Sequence, residues 1–494
     1  MNKQKLISDA VDRIETLFAN QEYEAAHMVS SQILNIEKEN LPAQQLAGLS
    51  AYKLGKLELA LKTINESIKS YPGNHENYNN LALCYFALDD YKNAHASIDK
   101  AISIENKVSY LSNKALFFKG EGEYEKSLDI LKKVVDLYPE KASYWDELGL
   151  YYGLNNDLEN CIKCFQKSIE LDKDRYVTHV NLACAYFLKG LYKEGWKEYE
   201  YRLSTYQQMN HINKIYEKEK TWKGEDLKDK TIVVYCEQGA GDIINFIRFV
   251  TKLNAKKIKL HVPSYMKELL LASGFNDIIT EKDEPEEYNY HCSMMSLPYL
   301  LNLDNKDLIC EPYIKSSKNV NIKEIEKYKN TFNIGIVWGG SPFHPNDKLR
   351  SIYLKQFKTI QDIPNVKLFS LQKDTRKRAY LSNPNKQIDL TENTNDMSVV
   401  DLQSYIQNFN DTAGFIEALD LVISVDTAVL HLAGAMGEEA WGLLPLTPDW
   451  RWGLKENNTF WYDSIKLYRQ SKHEDWESVF VQLKKDIIQK IQQK

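Results

Sequence analysis

A short sequence pattern returns at an almost constant interval through the first two hundred residues. The stretches QEYEAAH, GKLELAL, DDYKNAH, GEYEKSL, NDLENCI and GLYKEGW each carry a small residue three positions after a tyrosine or leucine anchor. A period near 34 residues is that of two helices joined by a turn, and the small residue lets the helices approach closely. The first part of the chain is therefore expected to fold as stacked helix pairs. The anchors, 33 or 34 residues apart, are Tyr23, Leu57, Tyr91, Tyr124, Leu158 and Tyr192.

The period and the residue pattern are similar to those of tetratricopeptide repeats. Pro72 and Pro139 stand where second helices of a repeat should end, because proline interrupts a helix. We predict about six repeats, which form an α-solenoid domain over residues 1–205. Such an array buries a continuous core by stacking and leaves a concave surface, which usually binds a peptide or protein.

One polar position recurs on the inner helices of the predicted repeats. Asn80, Asn113 and Asn181 occupy it in three repeats, and Glu147 occupies it in a fourth. An Asn side chain offers both a donor and an acceptor, so a column of them could hold the backbone of an extended acceptor peptide. The alternative is that these residues are ordinary solvated polar side chains.

The pattern changes after a polar, charged segment that we assign as a linker or cap, residues 206–230. Apolar stretches such as TIVVY, KIKLHV, NIGIVW, VKLFSLQ, KQIDL, LDLVISV and AWGLLP then alternate with helical stretches. Strands joined by helical crossovers predict parallel sheets. We divide this region into two Rossmann-like halves, 231–318 and 319–494, the second with a C-terminal helix. A ligand is expected at the carboxyl ends of the strands.

An acid, a hydroxyl and an imidazole follow the apolar strand LVISV. Asp426 and Thr427 stand where this strand ends and a helix begins, and His431 follows four residues after Thr427. Both Asp426 and Thr427 are natural N-caps, and the free N–H groups of a helix start attract anions. Capping alone is the simpler interpretation, but His431 on the same face favours a ligand site.

Six stretches of the second half, taken together in order, resemble the heptosyltransferase-like half of bacterial tetratricopeptide-repeat proteins. They are YCEQGAGDIINFIRFV, GIVWGG, RSIYLKQF, FSLQK, LDLVISVDTAVLHLAGA and LLPLTPDWRW, between about residues 222 and 480. The resemblance implies a glycosyltransferase of GT-B fold. It implies Asp242 as the catalytic base, and Asp426, Thr427 and His431 as residues that bind the nucleotide-sugar donor. Ala428 stands where many of those enzymes have glycine.

A sugar transfer with inversion needs one base for the acceptor proton and groups that hold the departing phosphate. Asp242 follows a Gly-x-Gly turn that allows close approach to a cleft, although it could serve only as a helix cap. Lys373 and Gln372 end a predicted strand, and Lys373 is the expected phosphate-binding cation, unless it is a surface lysine. Further candidates are Gly339, Gly340 and Ser341 as backbone donors in a turn, and, more weakly, Gly239, Gly241, Arg350, Asp449 and Arg451.

Composition excludes several other classes of protein. The formal net charge is −6, and scattered Lys and Arg lack the basic surface of a nucleic-acid-binding protein. No apolar run reaches the roughly 20 residues of a membrane span, and the N-terminal stretch lacks a signal-peptide core, so we expect a cytoplasmic protein. Cys161 and Cys164 have the only metal-like spacing, without a second pair nearby. We predict no metal, and no cofactor beyond the donor.

The predicted function is therefore an inverting, metal-independent glycosyltransferase that moves a sugar from a nucleotide donor to a protein bound by the repeats. Repeats joined to such a domain are also similar to protein O-GlcNAc transferases. Two alternatives stay open. One is a sugar-nucleotide epimerase or hydrolase, and the other is a non-catalytic repeat scaffold whose α/β half has lost its activity.

Overall fold

The structure is a computed structural model of the chain. It describes residues 3–204, 214–283, 285, 287–308, 311–317, 322–342, 344, 347–373, 377–380, 383–391, 394, 396–473 and 475–493. The chain divides into two compact units. The first comprises residues 1–171 with 379–388, and the second comprises residues 172–378 with 389–494.

Twelve helices form the six predicted repeats, and each anchor residue begins the second helix of its pair. The first ten helices belong to the first unit and the last two to the second. The predicted repeat solenoid is thus confirmed. The helices are α1 Lys3–Ala19, α2 Tyr23–Ile36, α3 Leu41–Lys53, α4 Leu57–Ser70, α5 His75–Ala87, α6 Tyr91–Ile104, α7 Val108–Gly120, α8 Tyr124–Leu137, α9 Ala142–Leu154, α10 Leu158–Leu171, α11 Tyr176–Leu188 and α12 Tyr192–Tyr199.

Small residues allow the paired helices to pack closely, as the repeat pattern predicts. Ala60 and Ala94 are fully buried. A Cβ atom added to Gly48 of α3 would come within 2.7 Å of Ile64 on α4, so a larger residue would push this pair apart. Asn40 and Asn74 cap the starts of α3 and α5 with their side chains, which satisfies N–H groups that the helices cannot pair internally.

A region of alternating strands and helices follows, and its strands form mainly parallel sheets. The four-stranded sheet has the order β3-β2-β1-β4 and is parallel throughout, from β1 Thr231–Tyr235, β2 Lys257–His261, β3 Ile278–Ile279 and β4 Tyr290–Ser293. The seven-stranded sheet is built from β5 Phe332–Val337, β6 Val366–Ser370, β9 Val399–Asp401, β10 Leu421–Val425, β11 Ala440–Leu444, β12 Asn458–Thr459 and β13 Tyr462–Arg469.

The order in the seven-stranded sheet is β12-β13-β11-β10-β5-β6-β9, and all neighbours are parallel except β12 with β13. One predicted strand lies elsewhere. The stretch KQIDL belongs to β8 Asn383–Asp389, which pairs with β7 Lys377–Tyr380 in a separate two-stranded sheet, and β9 takes the edge position beside β6. The alternation of apolar residues identifies KQIDL as a strand, but it does not specify the strand with which KQIDL pairs.

The helices of this region are mostly short. Residues 206–213 of the predicted linker, and residues 318–321 at the predicted boundary between the halves, lie outside the described residues. No described helix is both long enough and apolar enough to cross a membrane. The helices are Ala240–Phe246, Lys267–Ala272, Leu297–Leu300, Asn305–Leu308, Lys323–Glu326, Asp347–Arg350, Lys358–Gln361, Phe409–Glu417, Ala428–Met436 and Trp476–Gln493.

Candidate functional site

Loops that follow parallel strands line a cavity of about 650 Å³ in the second unit. They come after β1, β5, β6 and β10, so the cavity lies at the carboxyl ends of strands, where open parallel sheets bind ligands. The structure brings to this one cavity every residue predicted for the α/β region. These residues are Gly239, Gly241, Asp242, Gly339, Gly340, Ser341, Arg350, Gln372, Lys373, Asp426, Thr427, His431, Asp449 and Arg451.

Asp242 and Asp449 share one arginine at the cavity wall. Arg451 donates from Nη2 to Oδ1 of Asp242 at 2.5 Å and from Nη1 to Oδ1 of Asp449 at 2.9 Å. Asp242 also accepts the backbone N–H of Gly239 at 3.1 Å, so it holds the start of its own helix as well as facing the cavity. Burial raises the pKa of Asp242, and the opposing effect of Arg451 is smaller. The carboxylate is thus a stronger base than an exposed aspartate.

The helix Ala428–Met436 begins at the cavity without a side-chain cap. Thr427 is its N-cap residue by backbone conformation, but its side chain makes no capping bond, and its hydroxyl lies 3.0 Å from Oγ of Ser424 instead. Thr427 therefore occupies the predicted N-cap position, but its side chain does not make the capping hydrogen bond that was predicted. A Cβ added to Gly241 would lie 3.7 Å from the N atom of Ala428, so the Gly239–Gly241 turn lies against this helix start.

Asp426 lies between the helix start and a partly buried cation, Arg350. Arg350 donates from Nη1 to the backbone oxygen of Asp426 at 2.8 Å, and its Nε lies 3.3 Å from Oδ1 of Asp347. Burial and the neighbouring carboxylate of Asp449 raise the pKa of Asp426 to about 6, against the opposing charge of Arg350. The pKa of Asp426 is therefore well above that of an ordinary aspartate.

His431 forms part of the cavity wall with one edge of its ring. The residue is 6% exposed, its Nδ1 lies 3.0 Å from Oη of Tyr462, and its ring stacks on Trp452 at a centroid distance of 4.8 Å. Burial lowers the pKa of His431 well below its usual value, and the charges of Arg451 and other arginines lower it further. A neutral imidazole, which can donate one hydrogen bond and accept another, therefore lines the cavity.

The glycine turn after β5 differs from the prediction. Oε1 of Gln372 accepts the N–H groups of Trp338 and Gly339 at 3.2 and 3.0 Å, and the N–H of Gly340 donates to Oγ of Ser351 at 3.1 Å. The amides of Gly339 and Gly340 were predicted to be available to a phosphate, but the side chains of Gln372 and Ser351 accept their hydrogen bonds. Gln372, which is 4% exposed, thus fixes the turn.

Lys373 reaches the cavity, but its ammonium group is used within the protein. Its Nζ donates to the backbone oxygens of Ile406 and Gln407 at 3.0 and 3.2 Å. These bonds tie the end of β6 to the loop before the helix Phe409–Glu417. Of the other predicted cations, Arg350 contacts Asp426 beside the helix start, and Arg451 pairs with Asp242 and Asp449.

The cavity includes residues that the sequence analysis did not select. Asn408 accepts the N–H groups of Asn410 and Asp411 and donates to Oε2 of Glu268 at 2.9 Å. Asn408 stands directly before the helix Phe409–Glu417, and Asn is a residue that commonly caps a helix start. Tyr265 and Phe409 line the same wall, with ring centroids 5.9 Å apart. No pattern in the sequence distinguishes Tyr265 from other surface tyrosines.

The predicted polar column of the repeats is partly paired within the first unit. Nδ2 of Asn113 donates to Oδ1 of Asn79 at 2.7 Å, and Nδ2 of Asn79 lies 3.4 Å from Oδ1 of Asn80. Glu147 accepts the hydroxyl of Ser112 at 3.1 Å. Asn80 also lines a depression of about 480 Å³ with Tyr110 and Lys107. Asn181, in α11 of the second unit, is half-buried.

No three His, Cys, Asp or Glu side chains among the described residues group together as ligands for a metal ion. Cys161 and Cys164 are both buried in α10. Burial raises the pKa of the Cys164 thiol to about 12, so the thiolate form that binds metals is disfavoured there.

Two segments of the chain, residues 75–107 and 142–175, match the tetratricopeptide repeat family. The chain contains tetratricopeptide repeats. A stretch of 104 residues is 29% identical to the BBSome complex member BBS4 of Bos taurus and 28% identical to that of Mus musculus. It covers 21% of this chain, and the chain spans only a fifth, 20%, of the length of these relatives.

Solved structures are also similar to parts of the chain. MamA from Desulfovibrio magneticus RS-1 has a TM-score of 0.30 and 22% identity, over 33% of this chain and 93% of MamA. A thermophilic TPR protein of Thermus thermophilus has a TM-score of 0.33 and 18% identity, over 36% and 98% of the two chains. The type IV pilus biogenesis factor PilW has a TM-score of 0.38 and 15% identity, over 43% and 99%.

Proposed function

We propose that the chain is a glycosyltransferase of GT-B fold that moves a sugar from a nucleotide donor to a protein acceptor bound by the repeats. One observation carries the proposal. Asp242, with its raised pKa, and the uncapped start of the helix Ala428–Met436 line the same cavity at the carboxyl ends of two sets of parallel strands. A base and an anion site in one cavity are what an inverting transfer requires.

The helix start and Arg350 would hold the diphosphate of the donor. N–H groups at the start of a helix and a nearby guanidinium both stabilise the negative charge that grows on a leaving phosphate. Ala428, at the first helical position, lines the cavity beside this helix start. His431 would donate a hydrogen bond to the donor from the same wall.

Asp242 would accept the proton of the acceptor group. As the acceptor oxygen or nitrogen forms its bond to the anomeric carbon, the bond from that carbon to the phosphate oxygen breaks. The electron pair leaves with the nucleoside diphosphate, and the acceptor proton passes to the carboxylate of Asp242. The attack comes from the side opposite to the leaving group, so the anomeric configuration inverts.

Arg451, which pairs with both Asp242 and Asp449, can accommodate the protonation of Asp242. While Asp242 is ionised, Arg451 pairs with both Asp242 and Asp449. When Asp242 takes up a proton, Asp449 still pairs with the guanidinium, so no buried charge is left without a partner. The arginine thus stabilises Asp242 in its ionised form before the transfer without requiring a large rearrangement afterwards.

The repeats support a polypeptide acceptor, because stacked helix pairs present an extended surface suited to peptides and proteins. The test is intact-mass analysis of proteins from cells with the wild-type gene, without the gene, and with Asp242→Asn. We expect a glycan mass increment on at least one protein in the wild type alone. Conversion of nucleotide sugar by the purified protein, without any modified protein, would favour an epimerase or hydrolase. No nucleotide-sugar binding at all would favour a scaffold.

A further inference from the structure

Arg202, in the turn directly after α12, is a fully buried arginine that contacts the loop carrying Asp242. Its Nε and Nη2 atoms donate to Oε1 of Glu237 at 3.0 and 2.9 Å, and Nη2 also donates to Ser293 and Ser296 at 2.9 Å each. The side chains of Arg202 and Glu237 are both 0% exposed. Glu237 stands between β1 and the Gly239–Gly241 turn, so the sixth repeat holds the entry to this loop.

A second contact joins the same repeat to the next residue of the loop. Nε2 of Gln238 donates to Oη of Tyr199, the last residue of α12, at 3.1 Å. The guanidinium of Arg202 lies 4.8 Å from the centre of the Tyr199 ring. Two consecutive loop residues are therefore bound by two residues of one repeat, only a few positions before Asp242.

The sixth repeat also supports the segment that carries Arg451. The ring of Trp450 lies 4.3 Å from Phe187 of α11 and 5.8 Å from Trp196 of α12, as centroid distances. The guanidinium of Arg451 lies 4.4 Å from the centre of the Trp450 ring. Aromatic pairs at these distances pack specifically, and the cation is held against a ring that the repeat itself fixes.

We propose that the sixth repeat, α11 with α12 and the turn Glu200–Ser204, is a supporting element of the cavity that positions both partners of the Asp242–Arg451 pair. Arg202 and Trp450 are then positioning residues. A buried ion pair and a packed aromatic cluster each hold one arrangement, because partial separation would leave a buried charge or a void. The catalytic importance of this support rests on the proposed function, but the support itself does not.

The test is hydrogen exchange of the full chain, read by mass spectrometry for separate segments. The variant Phe187→Leu removes the ring that packs against Trp450. Phe117→Leu is the control, because Phe117 is a similarly buried ring in α7 of the first unit. We expect Phe187→Leu to raise exchange of segments 237–246 and 449–453 by about tenfold, while strand β10 exchanges as in the wild type. A general loss of stability would accelerate hydrogen exchange in β10 as well.

A second variant acts on the ion pair. Arg202→Met with Glu237→Met removes the two fully buried charges at once and keeps apolar bulk. Glu200, which also pairs with Arg202 at 2.7 Å, loses this partner but has a side chain that is 23% exposed to solvent. We expect faster exchange in 237–246 but not in 449–453. If one variant does not fold, the other decides the matter.

The proposal is overturned if each folded variant leaves these two segments exchanging no faster than Phe117→Leu does. Hydrogen exchange does not depend on catalysis, so the two proposals can fail separately. If the wild-type protein transfers no sugar, the proposed function is refuted. Faster exchange in the variants would still confirm the support by the sixth repeat.

Discussion

The hydroxyl group of Tyr462 lies 3.0 Å from Nδ1 of His431 and accepts a hydrogen bond from Nδ2 of Asn245 at 2.8 Å. The oxygen of the phenol already accepts from the amide, and the phenol has only one proton to donate. We therefore expect the phenol to donate its proton to Nδ1, which then acts as the acceptor. This arrangement places the proton of the neutral imidazole on Nε2.

Nitrogen-15 NMR of the histidine side chains is expected to show His431 as the Nε2–H tautomer at pH 7. Because burial lowers its pKa, the ring should remain neutral as the pH falls through 6.5, where exposed histidines gain a proton. In Tyr462→Phe the preference between the tautomers should weaken. An Nδ1–H signal in the wild type would contradict the hydrogen-bond direction.

Asp242→Asn is expected to keep donor binding and to lower turnover by about 10²- to 10⁴-fold, the usual contribution of a general base. The amide keeps the shape of the side chain and loses its basicity. Asp229→Asn, at an exposed aspartate before β1, is the matched control and should leave turnover unchanged. Equal turnover in the two variants would remove Asp242 from the reaction.

Asp426→Asn is expected to raise the free energy of unfolding at pH 7 by about 1 to 3 kcal/mol. The folded-state pKa of Asp426 is raised to about 6 from an ordinary value of 3.8, so its ionised form costs stability above that range. The folded state binds the extra proton as the pH falls through the interval between these two values, and the difference between variant and wild type should therefore shrink through this window. Chemical denaturation at several pH values measures it, and a constant or growing difference would refute the assignment.

Gly241→Ala tests the close approach of the turn to the helix start. Its Cβ would lie 3.1 Å from Cδ2 of His431, a ring that Tyr462 and Trp452 prevent from moving. We expect a loss of about 1 to 2 kcal/mol in stability, typical of overpacking, and weaker binding of inorganic pyrophosphate in isothermal calorimetry. Gly73→Ala, where an added Cβ meets nothing within 4 Å, is the control and should be nearly neutral in both measurements. Equal stability and equal pyrophosphate binding in the two variants would show that the turn can accommodate a methyl group.

Asn80→Ala combined with Asn113→Ala tests the acceptor surface in the first unit. Each bond to a peptide backbone contributes about 0.5 to 1.5 kcal/mol, so the double variant should lower transfer to protein by about tenfold and leave donor hydrolysis by water unchanged. Equal losses in both reactions would indicate general damage. No loss in either would make these asparagines ordinary solvated residues, and Asn181→Ala can be measured separately in the second unit.

The repeats and the parallel strands could be predicted because their patterns are local. A 34-residue period and a buried strand such as LVISV are visible within short stretches, and the rule that ligands bind at strand ends then brings Asp242 and Asp426 to one cavity. The hydrogen-bond partners could not be predicted in this way. Gln372 reaches amides more than thirty residues away, and Lys373 donates to carbonyl groups at a similar separation. Such pairings depend on how the loops pack, which no spacing in the sequence records.

The described residues that line the cavity all belong to the second unit, which begins after the fifth repeat. Under the proposed function, duplication or loss of whole 34-residue units upstream of Leu171 would alter the surface offered to acceptors without changing a residue of the cavity. Unequal recombination within one segment of the gene would then change the acceptor, while selection on the proposed chemistry would act on another segment. Repeat number and the proposed reaction would diverge at different rates among descendants.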